Sequence, residues 1–240
     1  MDTWLKFVLL VIAAYLLGSI PLSYLTARSR GVDIKKQGTQ QVGAGNLWRT
    51  TSRKLGLFVG IYDLLKGMLM IFIAWKVGLN ASMQFLVGIA VIIGHNWPVF
   101  LKFHGGRGVA TALGLIIILP SINYATISTR PTIIFFAVAV AIVIVLRRTP
   151  VPILIGLISM PITSAIVKEP LSLTLSYLVL LLVIVIKRLT AQPNPEAAKL
   201  GIRRVFLNRF LYDRDISDPH AWMYRKHEPE KDIPDEDMPE

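Results

Sequence analysis

Long apolar stretches, separated by short polar loops, fill most of the first 190 positions of this chain. Several of them approach the roughly 20 apolar residues that a helix needs to cross the hydrocarbon core of a bilayer. Because some stretches are short, and because Pro120 and Pro161 lie near the ends of two of them, the number of spans ranges from five to seven. The seven expected helices are residues 4–27, 55–75, 82–101, 109–127, 131–146, 151–167 and 171–186.

The overall composition supports a membrane protein. Hydrophobic residues make up 53% of the 240 positions, and the mean hydropathy of +0.56 exceeds what one soluble core requires. The first stretch, from Trp4 to Ala27, lacks the basic start and the small-residue cleavage pattern of a removable signal peptide. The chain is therefore predicted to be an all-α, polytopic integral membrane helix bundle that keeps its first stretch.

The distribution of basic residues predicts the orientation of this bundle. Lys and Arg concentrate in alternate loops, at Arg28, Arg30, Lys35, Lys36, Arg49, Arg53, Lys54, Lys102, Arg107, Arg147, Arg148, Lys187 and Arg188. The intervening loops carry only Lys76, Arg130 and Lys168. The positive-inside rule then places the N-terminus outside and the C-terminus in the cytoplasm. Three tryptophans near span ends are expected to be interfacial anchors: Trp4, Trp75 and Trp97.

The net charge of +11 is unevenly divided along the chain. Residues 1–189 hold 18 Lys and Arg against four acidic residues, whereas the last 51 residues hold eight against 11. The excess of basic residues in 1–189 is consistent with their setting the membrane topology and with attraction to anionic lipid. Three regions are therefore expected: a transmembrane domain at 1–189, a cytoplasmic segment at 190–217 that can form a helix on the membrane surface, and an acidic, proline-broken tail at 218–240 that favours disorder.

Several kinds of site and partner are not expected. The chain has no cysteine, which excludes a disulfide framework and a cysteine-based metal site. No histidine and carboxylate pattern indicates a metal, so neither a metal nor a cofactor is expected. Nucleic acid is not expected as a partner, because the basic residues lie in short loops beside the membrane without a recognisable nucleic-acid module.

Two loops on the same predicted membrane face carry candidate chemistry. The loop at 94–111 contains Gly105, Gly106, Arg107, Gly108 and Thr111, and the loop at 38–49 contains Thr39, Gly43, Ala44, Gly45, Asn46 and Arg49. Small residues let the backbone approach a ligand closely, and arginine, amide and hydroxyl groups can donate to phosphate oxygens. Such loops are also common as plain connectors, and their arginines as topology signals, but two of them on one face can hold two anions.

These motifs resemble those of the bacterial acyl-phosphate:glycerol-3-phosphate acyltransferases, the PlsY family. The similar stretches are residues 18–21, 42–49, 63–67 and 94–111, and the resemblance covers residues 10–115 and the later spans only by hydropathy. It implies an acyltransferase-like domain at 1–189 in the bacterial inner membrane. The implied reaction transfers a fatty acyl group from acyl phosphate to glycerol 3-phosphate, giving lysophosphatidic acid and phosphate in phospholipid biosynthesis.

The resemblance also implies roles for individual residues. Arg49 and Arg107 would bind phosphate and stabilise the leaving group, and Thr39 keeps a hydroxyl of the first motif, so these three are the expected catalytic residues. The remaining expected substrate-binding residues are Gly43, Ala44, Gly45, Asn46, His95, Gly105, Gly106, Gly108 and Thr111. Asn46 could instead order its loop, and His95 could instead cap its helix. Asp63 and Lys66 are expected to pair on one helix face.

The chain departs from the family pattern at three places. Its first motif reads Gly-Thr-Gln-Gln at 38–41, where the family has Gly-Ser-Gly-Asn, and it has arginine rather than the usual lysine at 107. The family's third motif, His-Arg-Glu-Asn, is replaced at 182–185 by Leu-Val-Ile-Val. An alternative is therefore a catalytically impaired relative that binds glycerol phosphate or phospholipid as a membrane scaffold or carrier. A transporter is a weaker alternative, since no discontinuous repeat pattern supports one.

Overall fold

Helices joined by loops make up the described part of the chain, which in this computed structural model comprises residues 2–146, 150–190 and 200–223. The helices are α1 (Thr3–Ser19), α2 (Leu22–Arg28), α3 (Ala44–Thr50), α4 (Arg53–Lys76), α5 (Ala81–Asn96), α6 (Val109–Ile122), α7 (Arg130–Leu146), α8 (Pro150–Ile166), α9 (Leu171–Leu189), α10 (Ile202–Tyr212) and α11 (Pro219–Met223). The predicted basic pair Arg147 and Arg148, and the acidic run of the predicted tail from residue 224 onward, lie outside the described residues.

Every predicted apolar segment corresponds to a helix, which confirms the all-helical membrane fold. Four helical stretches are long and apolar enough to cross a membrane by length and composition: Thr3–Arg28, Arg53–Lys76, Ala81–Leu101 and Leu171–Leu189. Three further apolar helices, α6, α7 and α8, are shorter. The number of crossings therefore stays a prediction.

Two predicted segments are shorter or more broken than expected. The first divides into α1 and α2 at Pro21, because proline cannot donate a helical hydrogen bond and forces the preceding Ile20 into an extended conformation with ψ of 111°. The fourth ends at Ile122 instead of residue 127. There the Asn123 side-chain amide donates to the Leu119 carbonyl at 2.9 Å and to Gln84 Oε1 at 2.7 Å, which favours a turn over continued helix.

Glycines allow the closest helix contacts in the bundle. A Cβ atom on Gly18 or Gly94 would collide with a backbone carbonyl across the contact between α1 and α5, and a Cβ on Gly114 would do so between α4 and α6. With no side chain in the way, the paired backbones pack directly, as small residues permit in membrane helices. These two helix pairs form a close-packed frame beneath the loops.

Apolar side chains fill the interior and also cover much of the outside. The largest buried cluster joins α4 to α9 and includes Phe85, Leu115, Phe135, Met160 and Leu180. Large apolar side chains remain exposed along the outer faces of α1, α4, α7 and α9. Such a surface suits contact with lipid chains rather than with water.

The loops divide between the two ends of the bundle. At one end, Lys6 near the start of α1 donates to the Val77 carbonyl, and the Ser128 amide donates to Glu169 at 2.9 Å. The loops before α3 and α6, the C-terminal end of α9 and the segment 200–223 meet at the opposite end. This end carries both glycine-bearing loops, as their shared face in the prediction requires.

Candidate active site

A cavity of about 300 Å³ lies where these loops meet. Its lining includes four cationic side chains and one carboxylate, from Lys35, Arg107, Lys187, Arg214 and Asp215. Thr39, Gln40 and Gln41 of the first loop and Gly105 of the second also face it. We call this space the cationic cavity, because its lining favours an anionic ligand.

The second glycine loop folds back tightly onto the end of α5. The Gly105 amide donates to the Asn96 carbonyl at 3.2 Å, and the Gly106 amide donates to the His95 carbonyl at 3.1 Å. A Cβ on Gly106 would collide with the His95 imidazole, and Gly108 has a φ of 70°, which side-chain-bearing residues rarely adopt. Glycine is required at these positions so that Arg107 can be carried to the cavity wall.

Arg107 is held by contacts from two different parts of the chain. Its guanidinium donates to the Lys187 carbonyl at 3.1 Å and to the Asp213 carbonyl at 3.2 Å, and it lies 3.0 Å from the Asp213 carboxylate. Burial lowers the pKa of Arg107 and raises the pKa of Asp213, and each charge opposes the shift of the other. Within the described ranges, Nε of Arg107 has no hydrogen-bond partner. The arginine is therefore oriented by its neighbours, and among the described residues its buried Nε is left unpaired.

Lys187 is a cavity residue that the sequence did not identify as part of the site. Its ammonium donates to the Asn96 carbonyl and lies 5.2 Å from the centre of the Trp97 ring. Trp97 itself lines the cavity. The sequence feature that could have identified Lys187 is the basic pair at the end of α9, Lys187 and Arg188. This pair was interpreted as a determinant of membrane topology.

Asn46 organises the first loop. Its side-chain oxygen accepts from the Thr39 amide at 3.0 Å, and its side-chain nitrogen lies 3.0–3.1 Å from the carbonyls of Ile34, Gln37 and Gln41. With the side chain 3% exposed in total, these bonds occupy it fully. The structure thus favours loop ordering over substrate contact for Asn46, and this ordering carries Thr39 to the cavity.

Arg49 does not lie at the cationic cavity with Arg107. Residues 44–50, expected as loop, form α3, because the carbonyl of Gly43 accepts from the amides of Asn46 and Leu47. Arg49 donates to the carbonyl of Gly45 at 3.1 Å, one turn earlier in the same helix. Together with Ala44 and Gly45, it lines a separate open groove between α3 and α4.

His95 belongs to a buried charged cluster on the membrane side of the glycine loop. Lys66 lies 2.8 Å from the Asp63 carboxylate, which confirms the predicted pair, and its ammonium is 2.9 Å from Nδ1 of His95. Asp63 is also 3.4 Å from the same histidine nitrogen. We call these three residues the buried triad. Since His95 packs beneath Gly106, the triad supports the loop from below.

Two buried polar side chains lie near Gly108 without hydrogen-bond partners among the described residues. Thr111, in the first turn of α6, and Asn96, at the end of α5, are both fully buried. A Cβ on Gly108 would lie 2.6 Å from Oδ1 of Asn96. Neither side chain reaches the cavity lining, so both lie behind the glycine loop. Asn96 was missed from sequence, although it directly follows His95.

The positions of the absent third motif contribute apolar side chains. Residues 182–185 lie within α9, and Val183 and Ile184 are buried in the largest core cluster. The cavity is lined instead by Lys187, one turn later in α9, and by Arg214 and Asp215 from beyond α10. Oriented cations around a cavity of this volume can bind a phosphate group and stabilise charge on a departing one.

Comparisons with known proteins agree on one family. A family model described as glycerol-3-phosphate acyltransferase matches residues 8–194. Glycerol-3-phosphate acyltransferase 5 of Dehalococcoides mccartyi is 34% identical over 237 residues, covering 96% of this chain and 98% of the relative. The glycerol-3-phosphate acyltransferase of Geobacter sulfurreducens is 34% identical over 178 residues, covering 74% and 88% respectively. The first alignment is long enough to include α10.

Solved structures agree as well. The crystal structure of PlsY (YgiH), an integral membrane glycerol 3-phosphate acyltransferase, in its glycerol 3-phosphate form has a TM-score of 0.67 and 30% identity. That match covers 85% of this chain and 94% of the solved one. The lysophosphatidic acid form of the same enzyme gives a TM-score of 0.66, with 29% identity and coverage of 87% and 98%.

Proposed function

The chain belongs to the glycerol-3-phosphate acyltransferase family, and from this premise we propose that it transfers a fatty acyl group from acyl phosphate to glycerol 3-phosphate. It is an integral membrane acyltransferase of phospholipid synthesis, and lysophosphatidic acid is its lipid product. The identity of the acyl donor is the part of this reaction that we propose.

The cationic cavity is the observation that carries the proposal. Each substrate and each product of the reaction contains a phosphate group, and Arg107, Lys187 and Lys35 all face one cavity. The buried position of Arg107 strengthens a charge-assisted hydrogen bond to phosphate, since fewer waters compete for it. A scaffold that only met lipid headgroups would not need cations oriented around an enclosed space.

The proposed reaction needs few groups from the protein. The glycerol hydroxyl attacks the acyl carbon, a new carbon–oxygen ester bond forms, and the bond from the acyl carbon to the phosphate oxygen breaks. The hydroxyl proton leaves with the phosphate as hydrogen phosphate, so the step balances. The enzyme must position two anions close together and stabilise the charge on the departing one.

We propose distinct roles for the residues predicted from sequence. Arg107 binds the phosphate that leaves, Gly105 lines the cavity beside it, and Gly106 and Gly108 shape the turn that carries Arg107 there. Thr39 contributes its hydroxyl at the cavity wall. The other predicted residues act through the scaffold: Gly43, Ala44, Gly45 and Asn46 form the first loop and the start of α3, and His95 and Thr111 lie behind the glycine loop.

The site is proposed to face the cytoplasm of a bacterial cell. Lysine and arginine are concentrated in the loops at the cavity end of the bundle, and such loops are retained on the cytoplasmic side. There, soluble glycerol 3-phosphate can meet an acyl donor held in the membrane. Labelling single cysteines, introduced at the exposed positions Lys36 and Val77, with a membrane-impermeant reagent in intact cells would test this orientation.

The acyl donor can be tested directly with purified protein in detergent. Radiolabelled glycerol 3-phosphate is incubated with acyl phosphate, acyl-CoA or acyl-carrier protein, and lysophosphatidic acid is extracted and counted. We expect label in the lipid only with acyl phosphate. Equal transfer from acyl-CoA would contradict the donor assignment. Binding without turnover from any donor, in protein shown to be folded, would favour the scaffold or carrier.

A further inference from the structure

Segment 200–223, which contains α10 and α11, lies over the cationic cavity, although the family model's match ends at residue 194. Hydrogen bonds to its backbone and from its side chains hold it there. Arg188 of α9 donates to the Phe210 carbonyl at 3.2 Å, and Arg209 of α10 donates to the Leu189 carbonyl at 2.9 Å. Because α10 contains no buried residue, apolar packing contributes little to this position.

The turn that ends α10 is directed at Arg107. Asp213 adopts a left-handed conformation with φ of 58°, which is uncommon for a residue other than glycine. In this conformation both its carboxylate and its carbonyl contact the Arg107 guanidinium, at 3.0 and 3.2 Å. The segment therefore contacts the arginine that we assign to phosphate binding, and it helps to orient that side chain.

The next two residues bring charge to the cavity wall. Arg214 lines the cavity, donates to the Ser217 carbonyl at 2.8 Å and lies 5.4 Å from the centre of the Tyr212 ring. Asp215 lines it too, but this carboxylate is 3% exposed and is ion-paired with Arg209 in the same segment. Asp215 is thus paired with Arg209 and Asp213 with Arg107, and Arg214 is the residue by which the segment brings a guanidinium to the cavity lining.

We propose that segment 200–223 forms one wall of the substrate site. In this wall, Arg214 binds the phosphate group of a substrate, and Asp213 positions Arg107 beside it. This inference rests on the proposed function, because the ligand is a phosphorylated substrate of that reaction. Two sources share this chemistry, glycerol 3-phosphate and the acyl phosphate donor. Arg214 adds a second guanidinium beside Arg107 and Lys187, at a site where residues 182–185 supply only apolar side chains.

The inference can be tested by binding, independently of turnover. Inorganic phosphate and glycerol 3-phosphate are titrated calorimetrically into the purified full-length wild type, Arg214→Ala, Arg214→Lys and Arg204→Ala. Arg204 is an exposed arginine of α10 outside the cavity lining, so it is matched for charge and segment. We expect Arg214→Ala to weaken binding of one or both ligands by roughly 10- to 100-fold, Arg214→Lys to retain part of the affinity, and Arg204→Ala to match the wild type. Equal affinity in wild type and Arg214→Ala would overturn the inference.

Steady-state kinetics distinguish the two phosphate sources. A rise in KM for glycerol 3-phosphate alone assigns Arg214 to the acceptor, and a rise for acyl phosphate alone assigns it to the donor. If all KM values and kcat remain at wild-type levels, the inference fails while the proposed reaction stands. If the wild type binds phosphate but transfers no acyl group, the reaction fails, and the titrations still decide the role of Arg214.

Folding of the variants is measured alongside binding. Arg204→Ala removes an exposed side chain and is expected to melt as the wild type does, whereas Arg214→Ala also loses the bond to the Ser217 carbonyl. If Arg214→Ala melts at a lower temperature, Arg214→Lys decides the question. A phosphate affinity of Arg214→Lys between those of the wild type and Arg214→Ala supports phosphate binding by the cation. If Arg214→Lys recovers the wild-type melting temperature but binds phosphate no more tightly than Arg214→Ala, the inference is contradicted.

Discussion

Two groups of cations lie on opposite sides of the second glycine loop, and the groups that contact them differ. In the buried triad, the Lys66 ammonium lies 2.8 Å from the Asp63 carboxylate and 2.9 Å from His95. At the cavity, Lys187 contacts the Asn96 carbonyl, and Arg107 contacts two carbonyls and Asp213. The carbonyl dipole orients Lys187 without cancelling its charge, and although Asp213 compensates Arg107, the four cations of the lining outnumber Asp213 and Asp215, so the cavity keeps a net positive charge.

This difference separates charge that supports the fold from charge that serves the reaction. A buried carboxylate and ammonium compensate each other, and losing one partner leaves the other uncompensated in a low-dielectric interior. A cation held by carbonyls can still bind an anion. Variants in the triad should therefore change stability first, and variants at the cavity should change substrate binding first.

The largest effect is expected for Asp63→Ala in the triad. Removing one partner of a buried ion pair costs about 3–5 kcal/mol, because the remaining Lys66 charge is left unpaired. Thermal unfolding in detergent measures this loss, with Asp2→Ala at the exposed N-terminus as the matched control. Adding Lys66→Met to Asp63→Ala should recover part of the lost stability. A melting temperature equal to that of wild type would show that the triad does not stabilise the fold.

Arg107→Ala should lower activity more than stability. Losing a charge-assisted contact to phosphate should cost about 1.5–3 kcal/mol of transition-state stabilisation, or roughly 10- to 150-fold in kcat/KM. Arg107→Lys keeps the charge but loses the two-sided contacts to Lys187 and Asp213, so its activity should be intermediate. The control is Arg30→Ala in an exposed part of the first loop. An unchanged kcat/KM for Arg107→Ala would remove this residue from the site.

A smaller change is expected for Gln40→Gly at the cavity wall. Gln40 has a φ of 59°, a conformation that is strained for a residue with a side chain and is available to glycine. We expect a gain of about 1 kcal/mol in stability, offset in part by greater freedom of the unfolded chain. Gln41→Gly is the control, and it should stabilise nothing, because Gln41 has no positive φ. A lower melting temperature for Gln40→Gly alone would contradict this reading.

The smallest effect is expected for Arg49→Ala. This side chain is exposed, lies outside the cavity lining and, among the described residues, bonds only within its own helix. Surface substitutions of this kind change free energies by about 0.5 kcal/mol or less, so kcat/KM should stay within about twofold of wild type. A loss as large as that of Arg107→Ala would place the groove between α3 and α4 in the reaction.

Hydrophobic patterning was enough to predict the long apolar helices, because a span must be apolar along its whole length whatever it packs against, but it did not predict α3. The break at Pro21 followed from a local rule that could have been applied, since proline restricts its own residue and the one before it. The early end of α6 could not be predicted in this way. It depends on Asn123 meeting Gln84, which is 39 positions away in the chain.

The candidate site was only partly predictable for the same reason. Motif spacing located the glycine loop and Arg107, because close backbone approach needs glycine locally. It could not separate Arg49 from Arg107, since their separation depends on how α3 packs against α4. Lys187 and Arg214 reach the cavity through contacts of high sequence separation, and a basic residue at a helix end or in a polar tail has no local feature that indicates such a role.

The most direct test of the central claim is calorimetric titration of glycerol 3-phosphate into purified wild type, Arg107→Ala and Arg49→Ala. If the cationic cavity binds the substrate phosphate, Arg49→Ala should bind as wild type does, and Arg107→Ala should bind at least about tenfold more weakly. The opposite result, with affinity lost in Arg49→Ala and kept in Arg107→Ala, would contradict the assignment of the cavity as the substrate site.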